Sequence, residues 1–117
     1  MTAPRDLPYT ITGRDLVSQI QDLRVQILTL SDGECIPWHF HSTVYDIFVC
    51  LQGITRIKTR GPDAQYFLAA GEHCTVAPNT AHEVSCQDTQ GCKFVLVQGI
   101  GAHDFNLAGN AIAADNL

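Results

Sequence analysis

Short apolar runs separated by turn-forming residues recur along the chain. They fall at 25–30, 34–41, 45–51, 55–60, 65–69, 73–77, 82–87 and 93–99. Between them lie Asp32-Gly33, Gln52-Gly53, Gly61-Pro62-Asp63, Ala70-Gly71, Pro78-Asn79 and the stretch 88–91. Gly supplies positive φ, Pro fixes φ, and Asn and Asp bond their own backbone, so each of these marks a turn. Eight short strands at this spacing, with no long helical pattern, predict an all-β fold, a barrel or double-sheet sandwich of about eight strands. Alternation is clean at 55–60, where Ile57 is the inward position. The runs 45–51 and 93–99 are apolar at almost every position, the pattern of a strand covered on both faces. A second copy of the chain would supply the outer cover, so a homodimer is expected. The stretch 14–21 fits either a short helix or an extra edge strand. The Ala-rich tail 103–117 fits a short helix packed outside or a frayed end. The pattern divides the chain into an N-terminal arm (1–24), a barrel (25–100) and a C-terminal tail (101–117).

Composition narrows the class. A chain of 117 residues suits one domain, and 45% hydrophobic against 16% charged residues excludes disorder by composition. No stretch approaches the ~18 consecutive apolar residues of a membrane span. Residues 1–8 carry Arg5 and Asp6 but no apolar run, so no signal peptide is expected and the cytoplasm is the expected location. The net charge of -5 argues against nucleic acid and anionic membranes as partners. Arg56, Lys58 and Arg60 share one strand face, read as a solvated outer surface. Five cysteines, at 35, 50, 74, 86 and 92, form no CxxC pair, which excludes a zinc ribbon and a thioredoxin motif. All five are expected to be free, small apolar residues.

The candidate chemistry lies between Gly33 and Gly53. His39 and His41 are two apart on a predicted strand, so they point the same way with Cα atoms ~6.6 Å apart. Two imidazoles so placed converge on one metal at bond lengths of ~2.1 Å. If 42–44 turns the chain, the carboxylate of Asp46 faces them from the next strand. His82, after the turn Pro78-Asn79-Thr80, offers a third imidazole. Such an N/O donor set suits one divalent transition metal (Fe, Mn, Ni, Co or Zn). The alternative reading of each residue is ordinary: a lone strand histidine is usually a surface or hydrogen-bonded residue, and a buried Asp can be paired by Lys or Arg as well as by a metal.

These residues resemble the cupin superfamily, and in particular its small single-domain, type-2 members. The first cupin motif runs Gly, five residues, His-x-His, three or four residues, Glu, six residues, Gly. Gly33, His39, His41 and Gly53 match it, with Asp46 at the acidic place. The second motif is degenerate here: Gly71, Pro78 and His82 match in order, Thr80 replaces the inner Gly, and Cys86 stands at the Asn place. The resemblance covers roughly 25–99 and implies a jelly-roll barrel with a metal on His39, His41, Asp46 and His82, often in a dimer. It implies no particular reaction, because cupins include dioxygenases, isomerases, epimerases, lyases, decarboxylases and binders. A metal-dependent enzyme on a small organic molecule and a non-catalytic binding or sensing barrel with a structural metal are the two functional expectations. The enzyme is preferred, as four ligands leave coordination positions open, whereas structural zinc sites are usually closed.

Parity fills in the rest of the interior. Phe48 and Cys50 share the face of Asp46, and Val84 and Cys86 that of His82. Glu34 and Glu83 face away from the ligands, as do Trp38, Phe40 and Tyr45, while His73 and His103 have no partner pattern and are taken as structural or surface residues. No Lys or Arg is placed beside the ligands except, weakly, Arg24. A small neutral or apolar ligand is therefore expected.

Overall fold

The structure, a computed structural model, describes residues 8–109. The turn residues cut the chain where the pattern predicts, and all eight expected strands form to within two residues at each end. They are β2 (Leu23–Leu30), β3 (Cys35–Phe40), β4 (Tyr45–Gln52), β5 (Thr55–Thr59), β6 (Ala64–Leu68), β7 (His73–Val76), β8 (His82–Cys86) and β9 (Cys92–Gly99). Two more lie outside this set. Gly13–Ile20 is an edge strand, β1, paired antiparallel to β2, which decides the open choice at 14–21. Asn106–Leu107 is β10, paired with β3. Residues 13–24, read as part of an arm, are thus hydrogen-bonded into the sheet. The first part of the tail is extended along the barrel mouth rather than helical, because its backbone finds partners on β3; its remainder, 110–117, lies outside the described residues. No helix among the described residues is long and apolar enough to cross a membrane.

The strands form two five-stranded antiparallel sheets, ordered β1-β2-β9-β4-β7 and β10-β3-β8-β5-β6. Sequence neighbours such as β3 and β4 sit in different sheets, the signature of a jelly roll. At the β4–β5 turn Gly53 has φ +73, and a Cβ there would collide with the carbonyl oxygen of Gly91. That position accepts only glycine, which explains the closing Gly of the first motif.

Register arranges the interior in layers. Across β2, β9 and β4, Leu28 pairs with Phe94 and Phe94 with Cys50; one step up, Gln26 pairs with Leu96 and Leu96 with Phe48. The next layer is Arg24, Gln98 and Asp46. In the facing sheet, Ile57 pairs with Val84 and Val84 with Ile36, and above them Thr59 pairs with His82 and His82 with His39. One end of the barrel is therefore a dry apolar plug, where Phe94, Leu28, Ile57, Val84 and Cys86 have no solvent exposure. The other end is polar and open. Arg56, Lys58 and Arg60 lie on the outer face of the second sheet, where Arg60 stacks 3.6 Å from the Trp38 ring centre and covers it.

Candidate metal centre

A bulge in β3 sets up the site. The β3–β8 register shifts between Ile36 and His39, so Ile36 points inward and alternation then restarts with His39 and His41 inward. Unbroken alternation would have turned Ile36 out. The bulge re-aims the strand so that an apolar floor residue and two imidazoles share one interior. Asp46 and His82 arrive at the same height on β4 and β8. His39, His41, Asp46 and His82 are all buried, and one donor atom from each lies within 4.8 Å of the others. Every one of the four site residues read from the sequence is brought together.

Three backbone carbonyls orient the rings. Nδ1 of His39 contacts the carbonyl of Pro37 at 2.7 Å, Nδ1 of His82 that of Thr80 at 2.8 Å, and Nδ1 of His41 that of Asp104. A carbonyl only accepts, so each Nδ1 carries hydrogen and donates. In the neutral ring Nε2 is then a bare lone pair, and the three lone pairs face the cluster. The turn before His82 supplies one of these anchors: Asn79 adopts φ 63 and its N–H donates to the His41 carbonyl at 2.7 Å, tying the two motif segments together.

Asp46 Oδ2 lies 2.9 Å from Nε2 of His41 and 2.9 Å from Nε2 of His82. Its other oxygen accepts from Nε2 of Gln98 at 3.0 Å. The shorter side chain of Asp, compared with Glu, does not take it out of reach. Burial raises the pKa of Asp46, but the contacts to His41 and His82 outweigh this and hold it below the ordinary carboxylate range. Burial lowers His41 while Asp46 raises it more, leaving it above its usual value. His39 is pushed down to about 3 by burial and then by His82, so its ring is neutral. A proton on one Nε2 serves a single contact to Oδ2, whereas one divalent cation serves all four donors. Two donors bound at right angles about 2.1 Å from one ion lie about 3.0 Å apart. The spacings of Asp46 to His41 and to His82 match this, and the four donor atoms all lie within 4.8 Å of one another, so the residues fit a divalent metal.

Beside the cluster is a cavity of about 210 Å³. Its floor is Leu28, Ile36, Phe48, Val84 and Leu96; its mouth carries Tyr9, Arg14, Arg24 and His103. Phe105 stacks on His39 with ring centres 4.4 Å apart. Alternation missed these mouth residues, and here the structure corrects it. Arg14 and Arg24 both line the cavity, and His103, read as a structural or surface residue, accepts from Arg24 Nη2 at 2.9 Å. Burial and then the charge of Arg24 lower His103 to about 4, so it is neutral and free to accept. Tyr9, His103 and Phe105 sit on segments with no periodicity, so no pattern pointed to them. Gln26 and Gln98 did leave a signal: both are polar residues at inward positions of otherwise apolar strands.

No family model matches the sequence, and no curated protein matches it. Solved structures do. A protein with a double-stranded β-helix domain from Klebsiella pneumoniae superposes with TM-score 0.72 at 23% identity, covering 86% of each chain. A cupin-2 domain protein from Shewanella frigidimarina gives 0.64 at 17% identity, over 77% of this chain and 82% of that one. The chain has the fold of a small single-domain cupin. KdgF from Halomonas sp. is also similar, with TM-score 0.67, 15% identity and coverage of 84% and 90%. At these identities the likeness establishes the cupin barrel, and the chemistry rests on the residues inside it. In this barrel the first motif is carried by β3, β4 and the turn at Gly53, and the second by β7, β8 and the turn at Asn79.

Proposed function

We propose that this cupin holds one divalent transition metal on His39, His41, Asp46 and His82 and acts as a metal-dependent enzyme on a small organic molecule. The observation that carries the reading is the convergence of three buried imidazoles and a buried carboxylate, with one donor atom from each within 4.8 Å of the others. A bound divalent ion supplies Lewis-acid polarisation of a ligand oxygen. The chain's own contribution is to fix the rings through three carbonyls, to fix the carboxylate through Gln98, and to keep an apolar floor that excludes water from one side. The enzyme reading over a structural-metal barrel is supported by the cavity, which reaches His39, His41 and Asp46 and leaves room beside them for a ligand. Its volume equals that of about seven waters.

Metal analysis of purified protein tests the site. We expect one divalent transition metal per chain, removed by a chelator with a lowered melting temperature. At a hundredfold excess over Kd the metal stabilises by about 2.7 kcal/mol, which corresponds to a rise on the order of 10 °C. Trace metal only, with no chelator effect, overturns the reading. Substrate-dependent turnover or oxygen uptake with β-diketones, thiols and phenolics then separates an enzyme from a binding barrel.

We also propose that a second copy covers the outer face of the first sheet. There Val25 and Val97, Ile27 and Val95, Ile47 and Val97, and Val49 and Val95 are paired neighbours, forming an unbroken apolar surface. Tyr45 (47% exposed) and Ile100 (81%) extend it. Contiguous patches of this kind are rare on monomers. Ile47→Glu is expected to convert a dimer to a monomer in sedimentation equilibrium. A wild-type monomer at high concentration would refute the dimer.

A further inference from the structure

The chain carries a net charge of -5 and only seven Lys and Arg, yet two of those cations line the one cavity that also holds His39, His41 and Asp46. Their partners are all neutral. Arg24 donates from Nε and Nη2 to Oε1 of Gln98 at 3.1 and 2.7 Å, and from Nη2 to His103. Arg14 donates from Nη1 to Oε1 of Gln26 at 3.1 Å and from Nη2 to the hydroxyl of Tyr9 at 2.9 Å. Among the described residues neither guanidinium is within salt-bridge distance of a carboxylate. Each guanidinium has five N–H donors in a planar fork, so both keep donors that these contacts do not use. Those donors are not sealed in protein, because neither arginine leaves a buried unsatisfied atom. Burial and then the charge of Arg14 work against the charge on Arg24, and the carboxylate of Asp46 offsets them only in part, so a further anion relieves the pair.

We infer that Arg14 and Arg24 form a carboxylate subsite, which makes the substrate a small carboxylic acid. The anion sits at the mouth on the two guanidiniums, and a second oxygen of the ligand reaches down to the histidine–aspartate cluster. This rests on the proposed metal site for the ligand's inner end, whereas the arginine end stands without it. Bidentate guanidinium–carboxylate pairing supplies the directionality. The cavity volume of about 210 Å³ limits the acid to a short chain, and the floor of Leu28, Ile36 and Val84 favours an apolar substituent. The neutral ligand expected from strand parity is therefore replaced by an anionic one, because β1 brings Arg14 beside Arg24, which the pattern had placed there only weakly.

Binding of propionate, lactate and pyruvate, each against its neutral amide, tests the subsite by calorimetry on chelator-treated and on zinc-loaded full-length protein. We expect at least one acid to bind tenfold or more tightly than its amide in both forms. Arg14→Met, which keeps the apolar stem and lies away from Asp46, should remove that preference while zinc affinity stays within a few-fold of wild type. Arg24→Met should do the same to the preference. No acid preferred over its amide, a preference that survives both substitutions in folded protein, or tighter binding of inorganic phosphate than of any acid overturns the inference. Acid preference without zinc uptake would sink the metal reading alone; zinc uptake without acid preference would sink the carboxylate subsite alone.

Discussion

His82→Ala is expected to abolish stoichiometric metal. Four-ligand structural sites bind with about 10–16 kcal/mol, so one ligand carries roughly 3 kcal/mol, more than a hundredfold in Kd. Competition against a coloured chelator reads the loss directly. Asp46→Asn is expected to lower both metal affinity and metal-free stability, because the carboxylate serves the ion when one is bound and His41 when none is. Asn keeps Oδ1 as acceptor for Gln98, while its amide group donates where Oδ2 now faces two Nε2 atoms at 2.9 Å. Metal affinity should fall at least a hundredfold for want of an anionic ligand. The metal-free protein should lose stability at neutral pH, because a carboxylate held below its ordinary range contributes stability there that the neutral amide cannot supply. If the carboxylate were instead uncompensated until a metal binds, Asp46→Asn would stabilise the metal-free protein, since the amide donates where Oδ2 now faces the rings. Urea melts of both proteins in chelator decide between the two.

Phe94→Ala is expected to cost about 3–5 kcal/mol, the range for a buried phenylalanine. Phe94 has no exposure and lies in the layer of Leu28 and Cys50, with its ring centre 5.7 Å from that of Phe48. β9 is paired with β2 on one side by an unbroken ladder and with β4 on the other, which restrains the walls from closing on the vacancy. Against a total stability of roughly 5–15 kcal/mol this is a large share. Phe67→Ala is the control: the side chain is 53% exposed on β6 and should change stability by only about 0.5 kcal/mol or less. Equal losses at the two positions in urea denaturation would mean that the barrel core is not packed as described.

How far the sequence reached differs from element to element. Strands 45–51, 55–60 and 82–87 were legible because turns chosen for φ bracket them and because period-two alternation needs no tertiary information. The same alternation placed Phe48, Cys50, Val84 and Cys86 on the ligand face, where the structure has them buried. It failed at Ile36, because a bulge inserts a residue and resets the phase. It left 14–21 undecided, since an edge strand bonded on one side only carries a weak pattern: its last six residues are exposed. The mouth of the cavity was the least legible part. Tyr9, His103 and Phe105 belong to segments that lie across the barrel end, and nothing local in their neighbours distinguishes them from loop residues.

By itself, the sequence determined that strands alternate, where they turn, and which four side chains share a donor chemistry, because each of these is a property of residues close together along the chain. Tertiary structure alone decided that three Nε2 atoms and one carboxylate oxygen point at each other, that Gln98 holds that carboxylate, and that two arginines stand over it. Those facts depend on sheet register and on strands far apart in sequence, such as β2 and β9, lying side by side. Register is set by the packing of the whole barrel, so no local stretch of sequence encodes it.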